Sequence, residues 1–267
     1  MTDIEDSTAP GPVIVARRVL LTGGTSGLGL AMASALSQAG ASVVLTGREA
    51  SRAQAVAAGL PHASGLGASG LGLDTRDEAS VSAAVQAAVD RLGGIDLLIN
   101  NAGLGMRTVN PRFHTDPQGF WTVPPDGFRA VVDTNLTGYF LVAREVTPLM
   151  LAAGHGRIVN ISMNHATMTR RGFVPYGPSR AGAEALSRIK AADLDGTGVT
   201  VNLLLPGGAT RTGMLPPGAE ARPGVLEPEI MGPPIVWLAS DAADGVTNER
   251  IVATEFSDWL RQRALPL

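Results

Sequence analysis

The 267-residue sequence contains no cysteine. Disulfides, thiolate metal sites and a cysteine nucleophile are therefore excluded. Histidine is scarce, and its four copies are scattered without ligand spacing, so no metal site is expected. Charged residues make up 17% of the chain and the formal net charge is −3. That balance gives no electrostatic reason to expect nucleic acid or an anionic membrane surface as a partner. No apolar run approaches the roughly 20 residues of a membrane span. A Gly-x-Ser-x-Gly elbow is also missing, which argues against a serine hydrolase. The opening stretch, MTDIEDSTAPGP, has neither the basic start nor the apolar core of a secretory signal. We expect residues 1–12 to be a flexible tail before one domain over 13–267, and a cytoplasmic location.

What is present is an apolar fraction of 45%, enough for a sizeable core, arranged in a regular alternation. Short, largely β-branched and leucine-rich runs predict strands at 19–21, 42–46, 71–73, 95–99, 157–161, 199–205 and 250–253. Between them, helical patterns are predicted at 26–39, 49–58, 77–92, 126–153, 176–194 and 229–240. Glycine- and proline-rich stretches at 59–72, 104–125 and 207–228 read as loops, and a short tail ends the chain. Strand–helix alternation of this kind means βαβ units, hence an α/β fold with a doubly wound parallel sheet of about seven strands in a single domain. No motif recurs at a fixed period, so a repeat array is unsupported.

Thr22-Gly23-Gly24-Thr25-Ser26-Gly27-Leu28-Gly29 falls between the first strand and the first helix. Glycines there let the backbone turn sharply and bring a pyrophosphate against helix N-terminal amides, where the dipole favours negative charge. The Thr-Gly-x-x-x-Gly-x-Gly spacing resembles the short-chain dehydrogenase/reductase family, a Rossmann-type fold. Further matches follow in order: Asn100-Asn101-Ala102-Gly103 after the fourth strand, Asn135 in the long helix, Tyr176 with a basic residue four later, and Pro206-Gly207 after the sixth strand. Together they span about residues 17 to 255. The resemblance implies a small-molecule substrate, a nicotinamide dinucleotide, and a homodimer or homotetramer. It places cofactor contacts at Thr22, Gly23, Thr25, Ser26, Gly27, Leu28, Gly29, Asn101, Ala102, Gly103, Tyr176, Arg180, Pro206 and Gly207, and at either Thr210 or Thr212 beside the nicotinamide amide. The second strand ends in Thr46-Gly47-Arg48, with no carboxylate to repel a 2′-phosphate. Arg48 offers a planar fork suited to phosphate, so NADP(H) is favoured over NAD(H). Asp74, with Thr75 beside it, resembles the family's adenine-contacting aspartate; a cap for the next helix is the competing role.

In this family a tyrosine exchanges a proton with the substrate oxygen, a lysine four residues on holds the ribose, and a serine orients the substrate oxygen. Tyr176 fits the first role. Arg180 stands where lysine is expected, one turn along the same helix face. An arginine supplies the positive charge but cannot give up its proton, so a relay through this position is closed. Asn135 matches the helix asparagine that bends the helix around a water site. The serine position, 13 residues before the tyrosine, holds Met163, with Ser162 one earlier. Neighbours on a strand point to opposite faces, so Ser162 reaches the pocket only through a bulge or an extra loop residue. His165 is the alternative polar group. Met163, His165, Arg107 and Phe173 are the candidate substrate contacts, and Arg107, Arg112, His114, Arg170 and Arg171, gathered around both candidate rims, are placed to attract an acidic substrate or else are solvated. The expected activity is interconversion of a secondary alcohol and a carbonyl compound. Tyr-x-x-x-Arg is also similar to the halohydrin dehalogenases, which use a Ser-Tyr-Arg set on the same fold, and a cofactor-binding protein with little turnover is a third reading.

Overall fold

The computed structural model describes residues 14–265 apart from 16, 62–66 and 217. The tail expected over 1–12 lies outside the described residues. The chain alternates β1 (Arg18–Leu21), α1 (Gly27–Gln38), β2 (Ser42–Gly47), α2 (Ala50–Ala58), β3 (Ala68–Gly72), α3 (Glu78–Leu92) and β4 (Leu97–Asn100). It continues through α4 (Pro125–Val132), α5 (Gly138–Ala153), β5 (Gly156–Ile161), α6 (His165–Met168), α7 (Tyr176–Asp193), β6 (Val199–Leu205), α8 (Gly232–Leu238), β7 (Arg250–Val252) and α9 (Phe256–Gln262). The strands form one seven-stranded sheet in the order β3-β2-β1-β4-β5-β6-β7. Every pairing is parallel. The single-domain, doubly wound α/β architecture is the one read from the sequence.

The strands lack a polar face because both faces are covered. Val19 and Leu21 of β1 pack on one side with Met32 and Leu36 of α1 and with Trp237 of α8. Leu20, between them, packs on the other with Val81 and Val85 of α3 and Val142 and Val146 of α5. The two-residue period of the strand thus distributes one apolar run between two cores.

Four local expectations change. The third strand lies at Ala68–Gly72 rather than at 71–73. Its small residues let α2 lie directly on it: a Cβ on Gly70 would come within 2.1 Å of the Ala53 carbonyl carbon. The helix expected over 126–153 is interrupted by a π-helical turn at Asp133–Thr137. The one expected over 229–240 is a 3-10 turn, Pro228–Met231, followed by α8. The expected C-terminal tail is helix α9, whose Phe256, Trp259 and Leu260 enter the core. These positions are three and four apart, so one helix face carries them all.

Candidate active site

The strand order reverses between β1 and β4, and in open parallel sheets the crevice at such a point receives the ligand. Two loops meet there. Thr22 Oγ1 accepts the backbone N–H groups of Asn101 (3.0 Å) and Ala102 (3.1 Å). The Asn101 side-chain amide donates back to the carbonyls of Thr22 (3.0 Å) and Gly23 (2.8 Å). The glycines permit this closeness. Gly23 has φ +69°, and a Cβ on it would sit 2.7 Å from Ala102 Cα. A Cβ on Gly29 would meet the Gly23 carbonyl oxygen at 2.3 Å. The first turn of α1 opens onto this crevice with no side-chain cap on its amides. Such a terminus suits the phosphates of a dinucleotide.

From this turn a single cavity of about 940 Å³ runs to α7. Its first end is lined by Thr46, Gly47, Arg48, Arg52, Asp74, Thr75 and Arg76. Arg76 donates two bonds to the Asp74 carboxylate, at 2.9 and 2.6 Å, and holds it below the usual carboxylate range. The cap of α3 is Asp77, whose Oδ1 accepts the Ser80 N–H at 2.7 Å, so the competing role considered for Asp74 falls away. The middle is lined by Thr25, Ser26, Gly27, Leu28, Gly29, Ala102, Gly103, Pro206, Thr210 and Thr212. Thr212 packs against Gly27, whereas Thr210 donates its hydroxyl to the Gly208 carbonyl at 3.1 Å. Gly207 (φ +99°) turns toward Thr254 instead.

The other end is built on β5 and α7. Tyr176 opens α7, and its hydroxyl meets the Met214 sulfur at 3.9 Å. One turn on, Arg180 is 3% exposed and lies against both tyrosines, its guanidinium carbon 5.4 Å from the Tyr176 ring centre and 5.5 Å from that of Tyr139. One of its terminal nitrogens donates to the Tyr139 hydroxyl (2.6 Å) and to the Ile161 carbonyl (2.8 Å). The other lies over Gly103, where a Cβ would approach it to 2.5 Å. Burial opposes the guanidinium charge, but the two tyrosine oxygens outweigh it and Arg180 stays above its ordinary range. Burial likewise pushes the Tyr139 phenol up, so it accepts as a neutral hydroxyl. Asn135 is fully buried in the π-helical turn. Its side chain exchanges bonds with the Leu104 backbone (2.8 and 2.9 Å) and donates to Ser179 Oγ (3.0 Å).

Two expectations for the substrate oxygen are corrected. Ser162 touches the cavity, but its hydroxyl is donated to Glu184 at 2.5 Å. The His165 ring contacts the other Glu184 oxygen at 3.1 Å and does not line the cavity. Arg250 completes this cluster, bonding both Glu184 oxygens at 3.1 and 3.2 Å. The carboxylate on α7 draws both polar groups away, and the pleat of the chain leaves Met163 at the cavity wall. Met163 packs in one apolar cluster with Met106, Phe113, Met168, Phe173 and Tyr176. Arg107 is also at the wall, donating to the carbonyls of Gly213 (2.9 Å) and Leu215 (3.4 Å).

The sequence reading missed Tyr139, Glu184, Met106, Met214, Arg52 and Arg76. Tyr139 carried one usable signal, four residues after Asn135 on the same helical face. The methionines come from loops without a period and carried none.

The family model for short chain dehydrogenases matches residues 17–222. A Streptomyces virginiae protein assigned as a monensin polyketide synthase ketoacyl reductase is 40% identical over 196 residues, 72% of this chain and 70% of that protein. Gluconate 5-dehydrogenase of Gluconobacter oxydans is 34% identical over 190 residues, 71% of this chain and 70% of the enzyme. In structure, the 3-ketoacyl-(acyl-carrier-protein) reductase of Brucella melitensis, crystallised with NADH, superposes with a TM-score of 0.76 at 27% identity, covering 88% of this chain and 95% of that one. With the glycine turn, the Asn101 bracket and the Tyr176 helix in their family places, the chain belongs to the short-chain dehydrogenase/reductase family and is an NAD(P)-dependent enzyme of it.

Proposed function

We propose that the protein is an NADP(H)-dependent oxidoreductase that interconverts a secondary alcohol and a carbonyl compound. The observation that carries this reading is the continuity of one cavity from the Gly23–Gly29 turn to the Tyr176 hydroxyl. Bound NADP(H) supplies or accepts the hydride. The glycine turn and the N-terminus of α1 hold its phosphates. Arg48 and Arg52 receive the 2′-phosphate, since no carboxylate closes β2 and Asp74 is already neutralised by Arg76. Arg180, through the nitrogen over Gly103, anchors the ribose, and Thr212 or Thr210 faces the nicotinamide amide. Tyr176 transfers the proton at its hydroxyl oxygen. Asn135 holds the helix bend and the Leu104 loop beside it.

The departure at Met163 supports a second reading, a cofactor-binding protein with little turnover, because a thioether stands at the family's serine position and the Ser162 hydroxyl is donated to Glu184. The halohydrin-dehalogenase-like reading is weakened by Ser162, whose hydroxyl bonds Glu184 and so leaves the Ser-Tyr-Arg set incomplete. As part of the same reading, we assign the protein to the cytoplasm as a homodimer or homotetramer, a state favoured by the exposed Phe140 of α5 and Ile189 of α7.

Titration of the protein with NADPH, followed by cofactor fluorescence, and a carbonyl panel followed by NADPH consumption separate the three. The proposal expects saturable binding and turnover. Binding without turnover on any carbonyl selects the second reading, and no binding with halide-dependent epoxide opening selects the third.

A further inference from the structure

The charge distribution along the cavity is one-sided. Among the described residues that line it, Asp74 is the only carboxylate, and it is paired with Arg76 at the adenosine end. Beyond Tyr176 the wall is first apolar and then cationic. The Phe113 and Phe173 rings meet edge to face at 5.6 Å, in the same apolar cluster as Tyr176 and Met163. Against this aromatic pair stand two basic side chains, one an imidazole and one a guanidinium. The His114 ring lies 4.4 Å from Phe113, and the Arg170 guanidinium carbon lies 5.2 Å over Phe173. Both His114 and Arg170 line the cavity.

These basic groups lack acidic partners. Arg18, Arg76, Arg157 and Arg250 elsewhere are all ion-paired. Arg107, Arg170 and Arg222 make no ion pair among the described residues, and the nearby carboxylate of Asp116 is taken by Arg112. This clustering bears on His114. Burial first, then the charges of Arg170 and Arg222, hold its imidazole below the ordinary range. An unpaired guanidinium at a cavity mouth attracts a counter-ion, and the imidazole beside it can donate an N–H to that anion.

We infer that the substrate is a carbonyl compound carrying an oxyanion, carboxylate or phosphate, separated from the reacting carbon by an apolar spacer that lies along Phe113 and Phe173. The inference rests on the redox reading of Tyr176 for which end of the substrate reacts. The anion subsite itself, formed by Arg170 and His114 with the charge of Arg222 acting on the same imidazole, does not depend on turnover. A guanidinium fork matches either oxyanion.

The test compares kcat/KM for para-acetylbenzoate, para-acetylphenyl phosphate and neutral methyl para-acetylbenzoate, with NADPH, in the wild type and in Arg170→Gln/Arg222→Gln. Thermal melting checks that the variant is folded. One or both anions should exceed the ester by about tenfold or more, as expected of hydrogen bonds to charged groups. Whichever does so identifies the oxyanion, and the ratio should fall toward one in the variant. An ester used as well as both anions, or a ratio the variant leaves intact, overturns the proposal. If none of the three is reduced, the redox reading fails separately. Calorimetric binding of unreactive para-ethylbenzoate and para-ethylphenyl phosphate then decides: binding lost in the variant sustains the anion subsite, and no binding to the wild type overturns it.

Discussion

Both tyrosines of the chain, Tyr139 and Tyr176, lie against one guanidinium. Arg180 differs from the family's lysine in more than charge. Its geometry lets one nitrogen bond Tyr139 and the Ile161 carbonyl while the other lies over Gly103. A lysine has a single ammonium to cover the same ground. The exchange leaves the buried Arg180 Nε without a partner among the described residues, a cost on the order of 1–3 kcal/mol. Residue identities were legible where a motif fixes them, as at Gly23, Asn101, Tyr176 and Arg180. They were not legible where a side chain chooses between partners, as Ser162 and His165 do in turning to Glu184. The strand period raised that question for Ser162, and only the position of Glu184 answers it. At the adenosine end, Arg48→Asp should weaken NADPH binding by about tenfold or more and favour NADH, because a carboxylate repels the 2′-phosphate and accepts the ribose hydroxyls. Fluorescence titration with each cofactor checks this.

The elements follow the same logic at longer range. Periodicity located every strand but the third, because α2 packs on Gly70 with no apolar side chain between them. The π-helical turn at Asp133–Thr137 was anticipated as a bend at Asn135 but not as a break separating α4 from α5. Its hydrogen bonding depends on Leu104 and Ser179, both remote in sequence. Helix α9 was missed although its apolar residues have helical spacing, for it holds only seven residues and follows a short edge strand. It is nevertheless integral to the sheet. Trp259 meets Trp237 of α8 edge to face at 5.5 Å, and Arg263 covers its outer face at 4.5 Å. Trp259→Ala should therefore destabilise the fold by about 3–5 kcal/mol, the range for truncating a buried aromatic. Urea unfolding gives the value, and a loss under about 1 kcal/mol would mean that α9 is peripheral.

On the scale of the whole molecule, almost all positive charge is arginine. The single lysine, Lys190, lies near the end of α7. It is half-buried and donates to the Tyr139 carbonyl at 3.0 Å, and burial lowers it from its ordinary 10.5 to about 8. A cation depressed in the folded state costs stability in full below pH 8, where both states are protonated. The cost fades as pH rises toward 10.5, because the unfolded chain then binds more protons than the folded one. Lys190→Met should thus stabilise the protein by about 2–3 kcal/mol near neutrality, with the gain over wild type vanishing at strongly alkaline pH. Parallel denaturation curves across that range measure it.

The architecture as a whole serves one cavity, with the glycine turn at one end and an atypical Tyr176–Arg180 centre at the other. The measurement that tests this most directly is turnover of an accepted carbonyl substrate at saturating NADPH by Tyr176→Phe, with NADPH affinity measured alongside. The account predicts that the rate falls by about a thousandfold or more while the affinity changes little, the loss expected when a positioned proton donor is removed. Turnover within a few-fold of wild type, with the cofactor still bound, would contradict it.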